Sequence, residues 1–157
     1  MTHTRPMPRA LTIVEDTDRE RDLLERAKAF AAGESTDLVV AALATPAQLD
    51  KIESTLDAIG RVEHTSYDES DVLEGVSGNV DDLASEILEP TVDYALETVI
   101  AETDDQAEAI IALAERTGCD HVFLPGARRS PTGKAVFGDR TQGVILNFDG
   151  FVTVSMT

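Results

Sequence analysis

Tryptophan is absent from this chain, and aromatic residues fill only 4% of its 157 positions, so a core has to be built from Val, Ile, Leu and Ala. Cysteine occurs once, at Cys119, which excludes an internal disulfide. A lone cysteine beside a predicted strand reads as a small buried apolar residue, and no partner for nucleophilic chemistry accompanies it. No stretch approaches the roughly 20 apolar residues that a membrane-spanning helix needs. The opening MTHTRPMPRA lacks the apolar segment of a secretory signal, so a cytoplasmic protein is expected. Positive charge is scarce. There are 13 Lys plus Arg against 30 Asp plus Glu, for a net charge of −17, and the acids are spread between apolar positions rather than gathered in a tail. That distribution describes the solvated surface of a folded domain. It repels nucleic acid and anionic membranes, so neither is expected as a partner. It also suits the high-salt cytoplasm of a halophile, where a dense carboxylate layer holds water and potassium ions; an ordinary acidic cytosolic protein is the alternative.

Short apolar runs alternate with longer amphipathic ones. Ala10 to Val14 reads as a buried strand, followed by a capping box from Thr17 to Glu20 and a helical face of Leu23, Leu24, Ala27, Phe30 and Ala31 that Gly33 would end. Leu38 to Leu43 is a second strand. Thr45, Pro46 and Gln48 open the next helix, with Leu49, Ile52, Leu56 and Ile59 on one face and Gly60 as its stop. The polar stretch from Arg61 to Ser70 reads as a loop. Val72, Val76, Val80, Leu83 and Ile87 recur at helical spacing, interrupted by Gly75 and Gly78, so this helix is expected either across the whole stretch or only from near Asn79. A third strand follows from Tyr94 to Ala101. A helix capped by Thr103 and Gln106 and ended by Gly118, a fourth strand from His121 to Leu124, a final helix carrying Val144, Ile145 and Phe148, and a fifth strand from Phe151 to Met156 complete the pattern. Strands separated by capped helices imply right-handed crossovers and a parallel sheet covered on both faces, a doubly wound α/β fold in one domain spanning residues 1–157.

In such sheets ligands bind beyond the carboxyl ends of the strands, where strand order reverses. The loop after the fourth strand, LPGARRSPTGKAVFGDRTQ, has glycines at Gly126, Gly133 and Gly138 and cations at Arg128, Arg129, Lys134 and Arg140, the densest basic patch of an acidic chain. It leads into a helix whose N-terminus favours anions. Glycines allow close approach of a ligand, and arginines grip phosphate oxygens in pairs. A phosphate-bearing ligand is one reading; a turn-rich loop whose arginines pair with surface carboxylates is the other. It is not a P-loop, because six residues separate Gly126 from Gly133 and Ala135 follows Lys134. The loop after the first strand, Glu15 to Arg19, lacks the glycine fingerprint of a dinucleotide fold and either supplies a carboxylate to a ribose or adenine or caps the next helix with first-turn acids. His64, Asp68, Glu69 and Asp71 lack metal-ligand spacing and read as a solvated loop. His121 reads as a hydrogen-bonded structural histidine. No catalytic triad, paired-carboxylate signature or Cys–His pair is evident.

Three segments resemble the universal stress protein family, particularly its haloarchaeal members: TIVEDTDRERDLLERAKAFAAG, ETVIAETDDQAEAIIALAERTGCDHVFLPG and GARRSPTGKAVFGDRTQGVILNFDGFVTVSMT. The resemblance covers essentially the whole chain. It implies a five-stranded parallel sheet in the order 3-2-1-4-5, a homodimer through the fifth strand, and a non-catalytic stress-response role with ATP or AMP as the ligand. Nucleotide-binding members carry Gly, two residues, Gly, nine residues, then Gly with Ser or Thr. Here Gly126 matches the first glycine, Arg129 takes the place of the second, and Gly138 matches the third one residue early. Asp139 replaces the hydroxyl residue that helps hold phosphate. Glu15 corresponds to the family's acid after the first strand, and the backbone contact to adenine falls at Leu43. The usual glycine and proline after the third strand are missing, with Thr103 to Gln106 in their place. The departures at Arg129 and Asp139 keep a second expectation open, a dimeric structural or signalling module of the same fold without nucleotide. A nucleotide hydrolase is a third, for which no clear base or metal-binding acid is present near the loop.

Overall fold

The segment LVVAALA is apolar at every position, which suits a strand covered on both faces, and Leu38–Ala44 is buried along its entire length. The computed structural model describes residues 9–15, 20–63, 69–129 and 135–156, with 61–63, 69–74, 127–129 and 135–137 described by their backbone alone. In chain order the elements are β1 (Arg9–Val14), α1 (Arg21–Glu34), β2 (Leu38–Ala44), α2 (Pro46–Glu63), α3 (Glu69–Leu88), β3 (Tyr94–Ile100), a 3-10 turn (Thr103–Asp105), α4 (Gln106–Arg116), β4 (Cys119–Pro125), β5 (Ala127–Arg129), β6 (Ala135–Phe137), α5 (Asp139–Asn147) and β7 (Phe151–Ser155). The main sheet has five parallel strands in the order β3-β2-β1-β4-β7, with β7 as its fifth strand. This is the expected doubly wound α/β, Rossmann-like arrangement. β5 and β6 form a separate antiparallel ribbon.

Strand alternation sends side chains to two cores. Ala10, Val14, Leu38, Val40, Ala42 and Phe123 pack with α1 and α3 on one face. Leu11, Ile13, Val39, Leu43, Val122 and Leu124 pack with α4 and α5 on the other. A register shift between Arg9 and Ala10 opposite β4 lets Cys119 join the second core although His121 and Phe123 face the first. Helix α2 contributes little to either core and packs against α3.

Several helix boundaries differ from the expected ones. Helix α1 begins at Arg21 with no side-chain cap from Glu20; Thr17 lies outside the described residues. It also runs through Gly33, and the left-handed residue that ends it is Ser35, at φ 53°. The Thr45–Gln48 capping box is present in both directions, the Thr45 N–H donating to the Gln48 side chain at 2.8 Å and the Gln48 N–H to the Thr45 hydroxyl at 3.2 Å. Gly60 does not stop α2, which continues to Glu63. α3 spans Gly75 and Gly78, starting ten residues before Asn79 at Glu69. The reason for Gly75 is steric, since a Cβ there would lie 2.8 Å from the Ile52 Cγ2 of α2. The expected end of α4 is present, with Gly118 at φ +71° donating its N–H to the Glu115 carbonyl at 3.3 Å.

Thr12 of the central strand β1 is fully buried, and its hydroxyl has no hydrogen-bond partner among the described residues. Burying an unmet hydroxyl costs about 1–3 kcal/mol. Thr12→Val keeps the shape and removes the polar atom, so it is expected to stabilise the protein by about 1 kcal/mol. The measurement is a urea titration, where the midpoint should rise at unchanged slope. A midpoint lower than that of the wild type would show that the hydroxyl has a partner.

Candidate functional site

Strand order reverses between β1, whose chain continues to β2, and β4 on its other side. The carboxyl ends of these strands deliver Glu15 and Pro125–Gly126 to one rim of the sheet. Glu15 is held at both ends. Its backbone N–H donates to the carboxylate of Glu20, which is buried, and its own carboxylate accepts from Arg140. Arg140 is the second residue of α5, a poor place for a cation because the helix N-terminus is itself positive. Acceptors on three sides offset that. One terminal guanidinium nitrogen serves Glu15 and lies 3.4 Å from the Gln106 Oε1, and the other donates to the Pro125 carbonyl at 3.3 Å. Gln106, buried at the start of α4, donates its own amide to the Ala101 carbonyl at 3.2 Å. The ends of β1, β3 and β4 are thereby joined to α5 through two side chains. The Arg140 side chain is 16% exposed and the Glu15 side chain 42%, so the arginine lies beneath the carboxylate and the carboxylate faces solvent. The Nε of Arg140 is buried without a partner among the described residues.

Gly126 closes the β4 side of the rim. Its N–H donates to the Ser155 carbonyl at 3.3 Å, and a Cβ there would lie 2.5 Å from the Val154 Cγ1. Gly138 is the exposed N-cap of α5, with φ −72° and ψ 167°, and Asp139 follows it, exposed in the first turn. Val14 stands opposite Ala42, which puts Leu43 at the level of Glu15 on the adjacent strand; the Leu43 side chain is buried and its backbone pairs with β3. The structure therefore brings Glu15, Leu43, Gly126, Gly138 and Asp139 to one end of the sheet. Arg128 and Arg129, read from the sequence as loop, have backbones in β5, paired with Val136 and Ala135 of β6. Gly133 and Lys134 lie outside the described residues.

Sequence reasoning missed Gln106 as a residue of the site and left the carboxylate partner of Arg140 unspecified. Gln106 looked like the partner in a capping box with Thr103, but a 3-10 turn occupies Thr103–Asp105 and the Gln106 side chain points to Ala101 and Arg140 instead. Arg140 was one of four cations in a basic loop. Its place in a helix's first turn was the available signal that a partner must hold it.

The remaining candidates sit elsewhere. His121 shares a 2.7 Å hydrogen bond with the Thr153 hydroxyl and stacks on Phe123 at 4.5 Å. Burial lowers its pKa from the usual 6.5, partly opposed by Asp120, so its surroundings disfavour the charged form. Burial pushes the Cys119 thiol up, partly opposed by the Thr117 hydroxyl 3.3 Å away, which disfavours the thiolate. No group of three or more metal-ligating side chains occurs among the described residues. His64 and Asp68 lie outside them, and only the backbone is described for Glu69 and Asp71.

No protein-family model and no curated protein matches the chain. Solved structures do. The universal stress protein from Archaeoglobus fulgidus superimposes with a TM-score of 0.62 at 18% identity, covering 96% of this chain and 98% of that one. A universal stress protein in complex with cAMP gives 0.59 at 15% identity, with 96% and 98% covered. The Archaeoglobus fulgidus protein in complex with dAMP gives 0.60 at 13%, with 95% and 97% covered. The five-stranded 3-2-1-4-5 sheet of this chain is the fold of the universal stress proteins.

Proposed function

We propose that this chain is a single-domain, non-catalytic stress-response protein of the universal stress protein type, which binds an adenine nucleotide where β1 and β4 diverge. The observation that carries this reading is the exposed Glu15 carboxylate paired with a part-buried Arg140 at the reversal of strand order. Neighbours of the same fold in complex with cAMP and dAMP support it. Asp139 puts a negative charge in the first turn of α5, the place where a phosphate would use the helix N-terminus. AMP is therefore favoured over ATP. Glu15 acts as a hydrogen-bond acceptor rather than a general base, because its carboxylate is already engaged by a cation. The test is isothermal titration with AMP and ATP in high potassium chloride. Heat is expected with AMP and less with ATP, and no heat with either sinks the reading.

The second reading is a dimeric module without nucleotide, favoured by Arg129 and Asp139 in place of the family's second glycine and hydroxyl residue. Among the described residues β7 pairs only with β4 and no strand covers its other edge, and Phe151 on that strand is 68% exposed. An open edge beside exposed apolar side chains is a template for strand pairing. In either reading the partner is a second copy through β7. The net charge of −17 argues against nucleic acid and anionic membrane as partners and for the cytoplasm of a halophile. No helix among the described residues is long and apolar enough to cross a membrane.

A further inference from the structure

We propose that Arg140 is a positioning and charge-neutralising residue for Glu15, which lets a site in a strongly acidic chain accept an anionic nucleotide; this rests on the nucleotide reading above. The guanidinium meets one carboxylate oxygen, Oε2, leaving Oε1 to accept from a hydroxyl or amino group of a nucleoside. The opposite role, an arginine that occupies the cleft and must be expelled by ligand, does not fit the exposures. Arg140 is the more buried partner and Glu15 the more exposed, so a ligand meets the carboxylate first. Arg140 is also anchored to Pro125 and Gln106, and Gln106 in turn to Ala101, so moving it would break contacts on two elements besides β1. What the burial achieves is an oriented, neutralised acceptor. Without the guanidinium, Glu15 would add a bare negative charge directly at the ligand position, in a chain that already carries −17.

The experiment measures AMP and adenosine binding by titration calorimetry to the wild type, Arg140→Gln, Glu15→Gln and the double variant, at low and high potassium chloride, with circular dichroism to confirm folding. Arg140→Gln is expected to weaken AMP roughly tenfold at low salt and adenosine clearly less, because only AMP carries charge to be repelled. High salt should narrow that difference. Adding Glu15→Gln to Arg140→Gln should recover AMP binding, because no uncompensated charge remains. A merely structural role would weaken both ligands alike and would not be rescued by Glu15→Gln; that result overturns the proposal, as does an Arg140→Gln variant that binds AMP like the wild type. A wild type giving no heat with any nucleotide overturns the functional reading and this one with it, whereas wild-type binding unchanged by Arg140→Gln overturns this one alone.

Discussion

Leu124→Ala is expected to destabilise the protein by about 2–5 kcal/mol, a larger effect than that of any other substitution considered. Leu124 is fully buried on β4, in the core that also holds Leu11, Ile13, Ile110, Leu113 and Val144. β4 pairs with β1 on one side and β7 on the other, so a void there lies inside the sheet's joined layers, where neighbouring side chains have little freedom to collapse into it. The loss combines the transfer free energy of the deleted methyl groups with a cavity left in a packed interior. A urea titration should show a lower midpoint at unchanged slope. A loss under about 1 kcal/mol would mean that the core around Leu124 is loose, contrary to its zero exposure.

The second large effect separates two glycines that look equivalent in sequence. Gly126→Ala is expected to cost about 1–3 kcal/mol by overpacking. Its Cβ would lie 2.5 Å from the Val154 Cγ1 and 3.0 Å from both the Cγ2 and Oγ1 of Thr141. Retreat of the backbone is opposed by the Gly126 N–H bond to Ser155, which ties the end of β4 to β7. Gly138, by contrast, has open space at its Cβ position and an extended N-cap conformation that serine adopts well. Gly138→Ser is expected to leave stability unchanged or raise it by a few tenths of a kcal/mol. Thermal unfolding of the two variants reads the contrast directly. Equal losses would show that the close approach of β4, α5 and β7 at Gly126 is not as described.

The strands were legible because burial on both faces writes itself into composition. LTIV, LVVAALA and HVFL are near-continuous apolar runs, and each is a central strand of the sheet. The Thr45–Gln48 box was legible because both partners lie within one turn and nothing else competes for them. Where a competitor existed, local reading failed. Gln106 has the same spacing from Thr103 as Gln48 from Thr45, but the Ala101 carbonyl and Arg140 claim its side chain. Gly75 and Gly78 looked like breaks in a helix, whereas the approach of Ile52 makes the absence of a side chain at Gly75 a packing requirement. The β5–β6 ribbon was read as loop because each strand is only three residues long, too short for an alternating pattern to register.

By itself the sequence determined the α/β class, the positions of the five main-sheet strands and an acidic exterior, since hydrophobic periodicity and charge are properties of neighbouring residues. The placement of Glu15 and Gly126 at one rim was implied by the expected strand order, and the structure has that order. Only the tertiary structure decided what holds the rim together. Glu15 and Arg140 are 125 positions apart, and no local pattern can announce a pair that exists because two chain segments meet after the sheet has formed.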